Sequence, residues 1–263
     1  MPIVLGAIAD DFTGATDLAN TLVSEGMRVV QIIGVPGPEE TYGDADAVVV
    51  ALKSRTAPVE EAIADSLAAL NWLQSEGTEQ ILFKYCSTFD STAQGNIGPV
   101  ADALREAMGC ELALICPAFP KNGRTVYNGV LFVEELPLAE SPMKDHPLTP
   151  MRDSNLMRLM DAQSSGQVGL ISAPIVQQGV EAIRAKIAAL ITEGISYAVI
   201  DALDESDLRT IGKAAEDHTL ITGGSGIALG LPDNFRARGK ITLERNTTFA
   251  ATEGRTLILA GSC

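Results

Sequence analysis

The sequence predicts an α/β fold, an open and mostly parallel β-sheet with helices on both faces. Three observations predict it. Short apolar runs alternate with amphipathic helical patterns along most of the chain. Ala, Gly, Val, Ile and Leu dominate while aromatics make up only 5%, a balance that suits strands buried on both sides. The 263 residues are 46% apolar and 20% charged, which is ample for a sizeable core and too apolar for a disordered chain.

The elements follow in order. IVLGAI (3–8) reads as the first strand; no basic region precedes it and it soon reaches acid, so a strand is expected there rather than a secretory leader. The helical pattern ATDLANTLVSEG (15–26) leads to the runs VVQII (29–33) and AVVVAL (47–52). PVEEAIADSLAALNWLQSEG (58–77) precedes QILFK (80–84), and NIGPVADALREAMG (96–109) precedes LALIC (112–116). Further on come VGLIS (168–172), the helix GVEAIRAKIAALITEG (179–194), YAVID (197–201), HTLIT (218–222) and TLILA (256–260). The glycine that closes the 179–194 pattern reads as a helix C-cap.

Residues 117–153 break this rhythm with many prolines and glycines and no long helical pattern. RTVYNGVLFV reads as a β-hairpin, with Asn128-Gly129 supplying the positive φ angles of its turn. A long irregular insertion in an α/β domain is typically a binding surface or a lid. At the other end, GRTLILAGSC is a strand followed by Gly-Ser with no helix after it. The chain is therefore expected to be the front portion of a longer protein.

Charge narrows the range of partners. Nineteen basic against 34 acidic residues give a net charge of −15, which argues against nucleic acid and anionic membrane surfaces. No apolar stretch is long enough to span a bilayer. Cys86, Cys110, Cys116 and Cys263 form no CxxC pair, and only His146 and His218 could add nitrogen ligands. That scatter argues against a zinc site and points to a reducing, cytoplasmic setting. A small anionic ligand remains compatible where a few cations converge.

Such a convergence is expected at the strand ends, where open parallel sheets bind ligands. The first strand is followed by Asp10, Asp11 and Thr13, and the third by Lys53, Ser54 and Arg55. The fourth ends in Lys84 and is followed by Ser87, Thr88, Asp90 and Ser91. The fifth is followed by Lys121, Asn122 and Arg124. One Asp before a helix is an ordinary N-cap; two adjacent carboxylates raise one another's pKa unless a cation intervenes, which points to function. Asp90 could instead cap the helix near 95. Lys53 and Arg55 could be solvated surface charges, and His146 could hold its loop by hydrogen bonds. ITGGSGIALG (221–230) lacks the ending of a phosphate-binding P-loop, so tight-turn packing is expected there.

Taken together, ADDFTGATD, KSRTAPV, FKYCSTFDSTAQGNIGPV, PAFPKNGRTVYNGVLFV, ESPMKDHPLTPMRDSNLMRLM and ITGGSG resemble, in this order, the four-carbon acid sugar kinase family. The resemblance spans essentially the whole chain. It implies an acid-sugar-binding domain over 1–250, with 251–263 as the first strand of a C-terminal nucleotide-binding domain that is otherwise missing. It also implies transfer of the γ-phosphoryl of ATP, carried with Mg2+, to the terminal hydroxyl of a four-carbon sugar acid. Asp10 and Asp11 are then the candidate catalytic acids. The substrate would meet Thr13, Lys53, Arg55, Lys84, Ser87, Asp90, Arg124 and His146, with the arginines suited to its carboxylate. Only Gly261 and Ser262 would belong to the nucleotide site, and no protein-bound metal is expected. HPLTPMRDSNLMRLM (146–160) is more similar to the branch that takes 3-oxo-tetronate (3-dehydrotetronate), the expected substrate, with D-threonate and D-erythronate as the alternatives. A small-acid binding module without catalysis, and a homo-oligomer, are further readings.

Overall fold

A computed structural model describes residues 3–242. The expected strand at 256–260, Gly261 and Ser262, and with them the 251–263 segment, lie outside the described residues. Ten elements build the first half of the fold. They are β1 (Leu5–Ala9), α1 (Phe12–Ser24), β2 (Val29–Ile33), β3 (Ala47–Ala51), α2 (Val59–Ser75), β4 (Gln80–Lys84), α3 (Ile97–Ala107), β5 (Ala113–Cys116), β6 (Arg124–Tyr127) and β7 (Val130–Val133). There follow β8 (Leu136–Pro137), α4 (Leu156–Asp161), β9 (Val168–Ile171), α5 (Ala173–Val176), α6 (Val180–Thr192), β10 (Tyr197–Ile200), α7 (Glu205–Ala214), β11 (Leu220–Gly223) and α8 (Pro232–Ala237).

Eight strands form one sheet in the order β2-β3-β1-β4-β11-β5-β10-β9, and every pairing is parallel. All residues of β1, β3 and β4 are buried. Burial on both faces explains why these strands read as continuous apolar runs rather than as alternating ones. The helices form two packed groups. In one, α2 packs on α3 and α3 on α4; in the other, α1 packs on the 225–230 turn, which packs on α7, and α7 on α6.

The chain leaves β1 toward β2 on one side, then crosses from β3 to β4 on the other. The reversal lies between β1 and β4, where the connecting segments diverge and leave a crevice. Register fixes what faces it. Ala9 pairs with Ala51 and with Lys84, and Lys84 pairs with Gly223.

The insertion is the expected hairpin extended by one short strand, a small antiparallel sheet β6-β7-β8. Asn128 and Gly129 adopt φ of 50° and 71°, as the turn requires. Asp201, at the end of β10, pins this hairpin to the main sheet. Its carboxylate accepts the backbone amides of Asn128 at 2.7 Å, Gly129 at 2.9 Å and Ala173 at 2.8 Å.

Three local expectations are corrected. The first helix starts at Phe12 rather than Ala15, because Asp11 caps it by accepting the Gly14 amide. Asp90 does not cap α3; Asn96 stands at that N-terminus, and the Asp90 carboxylate accepts the Thr88 hydroxyl. Helices α7 and α8 form where no helical pattern was singled out.

Candidate functional site

The centre of the site is an ion cluster at the ends of β1, β3 and β4. After β3 the chain turns back over β1, since the amides of Ser54 and Arg55 both donate to the Asp10 carbonyl at 3.0 and 3.1 Å. That turn carries Arg55 onto the paired acids. Its guanidinium holds Asp10 as a fork, Nε to Oδ2 at 2.9 Å and Nη2 to Oδ1 at 2.8 Å. Nη2 also donates to Asp11 Oδ1 at 2.8 Å, and Nη1 lies 3.7 Å from Asp90 Oδ2. The cation that lets two acids stand side by side is therefore Arg55.

The members of the cluster are not equivalent. Asp10 is 4% exposed, and burial pushes its carboxyl above the usual range while the Arg55 fork and the Lys84 charge pull it back. Both of its oxygens are engaged by Arg55, so it faces inward. Asp11 is half-buried and commits only Oδ1, to Gly14 and Arg55. The Arg55 loop is itself held by Asn96, whose amide donates to the carbonyls of Ser54 at 2.7 Å and Ala57 at 2.9 Å.

The segment after β4 supplies the opposite wall. Phe89 and Asp90 have φ of 66° and 41°, adjacent non-glycine residues in the left-handed region, where a bulky side chain carries strain of roughly 1–3 kcal/mol. The Phe89 ring, fully buried, packs edge-on against Tyr85 at 5.6 Å and holds the turn. The turn aims Asp90 at Arg55.

Outside the cluster a cavity of about 280 Å³ opens, lined by Asp11, Thr13, Asp17, Lys84, Ser87 and Ser225 among others. Lys84 is 3% exposed, yet its ammonium has one acceptor among the described residues, the Tyr85 carbonyl at 2.7 Å, and no ion pair. An ammonium carries three donors, so two remain unfilled in a place where unfilled donors are costly. Gly14 makes room for it, since a Cβ there would collide with Asp11 Oδ1 and stand 2.8 Å from Lys84 Nζ. Cys86 also lines the cavity, its thiol pushed up to about 11 by burial.

The structure thus brings together Asp10, Asp11, Thr13, Arg55, Lys84, Ser87 and Asp90. Lys53 is exposed and makes no ion pair among the described residues. Arg124 sits at the hairpin base and donates to the Asn122 carbonyl. His146 Nδ1 accepts the Thr149 amide at 3.1 Å. Neither Arg124 nor His146 lines the cavity.

Two wall residues were not singled out from the sequence. Asp17 is half-buried on α1, and its carboxylate has no hydrogen bond or ion pair among the described residues. The Ser225 hydroxyl is buried with no hydrogen-bond partner among them. Ser225 reaches the wall because Gly223, Gly224 and Gly226 lie directly against the carbonyls of Cys116, Pro117 and Ala118, where any Cβ would clash. ITGGSG is thus a close-packing segment. Only its ADDFTGATD and ITGGSG contexts marked these two residues beforehand.

Fold and site together define a parallel α/β domain whose strand ends gather carboxylates, hydroxyls and one buried ammonium around a cavity. The chain belongs to the family described as the sugar-binding N-terminal domain, whose model matches residues 5–231. It is 56% identical over 260 residues to the 3-oxo-tetronate kinase of Pseudomonas fluorescens, covering 98% of this chain and 60% of that protein. To the 3-oxo-tetronate kinase of Escherichia coli it is 52% identical over 262 residues, 99% of this chain and 66% of the relative. A crystal structure of a Haemophilus influenzae protein superimposes with a TM-score of 0.87 at 48% identity, over 95% of this chain and 59% of that one. The chain spans about 60% of the length of the first of these kinases.

Proposed function

We propose that this chain is the acid-binding portion of an ATP-dependent kinase that phosphorylates the terminal hydroxyl of a four-carbon sugar acid, with 3-oxo-tetronate as the substrate. The observation that carries the reading is a cavity at the strand ends in which a buried Lys84 with unfilled donors faces Asp11. Its likeness to the 3-oxo-tetronate kinases supports the choice of acid.

Phosphoryl transfer asks a protein mainly for alignment and charge stabilisation. Lys84 receives the carboxylate of the acid, which fills the two N–H donors left open. Asp11 accepts the proton of the attacking hydroxyl through Oδ2, the oxygen that neither Gly14 nor Arg55 occupies. Thr13 and Ser87 offer further hydrogen bonds. Arg55 acts through the acids: it is bound by three carboxylates and holds Asp11 in place, with Asp10 and Asp90 as its counter-charges. Lys53, Arg124 and His146 have no part in the cavity wall in this reading.

ATP supplies the phosphoryl group when bound, and Gly261 and Ser262, assigned to it, lie outside the described residues. Among the described residues no group of three or more His, Cys, Asp or Glu converges as a metal site. In this reading magnesium enters with the nucleotide, and none of the residue roles depends on it.

The test is a phosphorylation assay of the full-length polypeptide with ATP and Mg2+ against 3-oxo-tetronate, D-threonate and D-erythronate. Turnover of 3-oxo-tetronate is expected. Turnover confined to D-threonate or D-erythronate would move the substrate within the same chemistry. Acid binding without turnover of any of them would leave a non-catalytic binding module.

A further inference from the structure

We propose that Asp17 and Ser225 make the cavity selective for a monocarboxylic polyol acid and exclude a dicarboxylic acid of the same length. The inference rests on the cavity being the acid site and goes further, since it says what the far end of the ligand must be.

The wall has two poles. At one, Lys84 is 3% exposed with two donors unfilled, and Ser225 is 1% exposed with an orphan hydroxyl. Buried polar groups of this kind are normally satisfied, so both are matched to an incoming acceptor, and a carboxylate with two oxygens can serve both. At the other pole stands Asp17. It lies three residues past Gly14 on α1, roughly 5 Å further along the helix axis. Gly14 is the residue over which the Lys84 ammonium sits. Residues three apart are neighbours on a helix surface, and Asp11, Gly14 and Asp17 all line the cavity.

Asp17 also forms part of a second cavity of about 210 Å³ that adjoins the first and is bordered by Lys121 and Asn122. Every other acid at the centre of the site is committed: Asp10 to Arg55, Asp11 through Oδ1, and Asp90 to Thr88. Asp17 keeps both oxygens free. An ionised carboxylate only accepts, so it welcomes hydroxyl donors and repels a second carboxylate. A ligand anionic at one end and hydroxylated at the other brings its hydroxylated end within reach of both Asp11 Oδ2 and Asp17; a diacid sets a second carboxylate against Asp17 as well as Asp11.

The test compares the monoacid substrate with tartrate, a four-carbon hydroxylated diacid, as inhibitor in the phosphorylation assay of the full-length polypeptide. Asp17→Asn keeps size and shape and removes the charge. It is expected to tighten tartrate inhibition relative to monoacid binding by about tenfold or more, the effect of a like charge some 6 Å away in a half-solvated cleft. Asp17→Glu should retain the discrimination, a result that a purely structural role for Asp17 would not give. Ser225→Ala should raise KM for the monoacid about tenfold, the loss of one hydrogen bond to a charged group. An Asp17→Asn ratio within about twofold of wild type would overturn the proposal while monoacid turnover still stood. Absence of both binding and turnover of the monoacid in the wild type would remove the acid-site reading itself, and this inference with it.

Discussion

Arg55 shows how one side chain can decide what its neighbours do. It is 22% exposed and touches three carboxylates, so its removal leaves buried charge without a partner. Arg55→Ala is expected to cost about 3 kcal/mol or more, read from chemical denaturation. The deficit should depend on pH. Burial already lifts the Asp10 carboxyl above its ordinary value of 3.8, and without Arg55 nothing on that scale opposes it. A raised carboxyl favours the folded state fully below 3.8 and loses that contribution as pH climbs through the folded value. The gap between Arg55→Ala and wild type should therefore narrow toward acid pH; a pH-independent gap would contradict the assignment. Asp11→Asn separates chemistry from folding. Asn caps a helix as well as Asp does, so the melting temperature should hold. Loss of the base should cut turnover by about 10²–10⁴ in the full-length polypeptide. Near-normal turnover would take the base role from Asp11.

Among the elements, the β6-β7 hairpin depends on Asp201 from a different strand. Three backbone amides converge on this one carboxylate, and Asp201→Ala would leave those of Gly129 and Ala173 buried without an acceptor. The expected loss is about 3 kcal/mol or more, with the hairpin cut by protease before the sheet is; equal protection of both would show that the anchor is dispensable. Much of this architecture was legible beforehand. Parallel strands such as β1, β3 and β4 are buried on both faces and announce themselves as apolar runs, and Asn-Gly marked the hairpin turn. Helix α7 escaped notice because Glu205, Asp207, Arg209 and Lys213 dilute its short apolar stripe of Leu208 and Ile211. The site was legible as a set of strand-end residues, but its pairings were not. Arg55 and Asp10 are 45 residues apart in sequence, and nothing local says that Arg55 is consumed by acids. Ser225 looked like an ordinary turn residue because an orphan hydroxyl exists only in three dimensions. Asp17 looked like any solvated charge on a helix.

Over the whole molecule, a net charge of −15 meets a site whose ligand is proposed to be an anion. At long range the protein repels that ligand, while at contact the buried Lys84 attracts it. Salt acts on the first effect far more than the second, because the Debye length shrinks from about 30 Å at 0.01 M to about 8 Å at 0.15 M. The association rate of the acid should therefore rise severalfold over that range, with the dissociation rate nearly constant, as measured by stopped-flow binding. A rate that falls with salt would mean that the field at the cleft mouth is positive despite the overall charge.

One further consequence belongs to α1. The groups it presents at 11, 14 and 17 follow at steps of three residues, each about 60° short of a full turn, and so fan over about 120° of the helix surface. Deleting a single residue between Gly14 and Asp17 would leave the later carboxylate about 160° around the axis from Gly14 instead of about 60°, away from the cleft, with the N-cap untouched. Length in this stretch is thereby tied to ligand choice, and a helix of the same composition but shifted phase would still fold, still cap, and no longer discriminate.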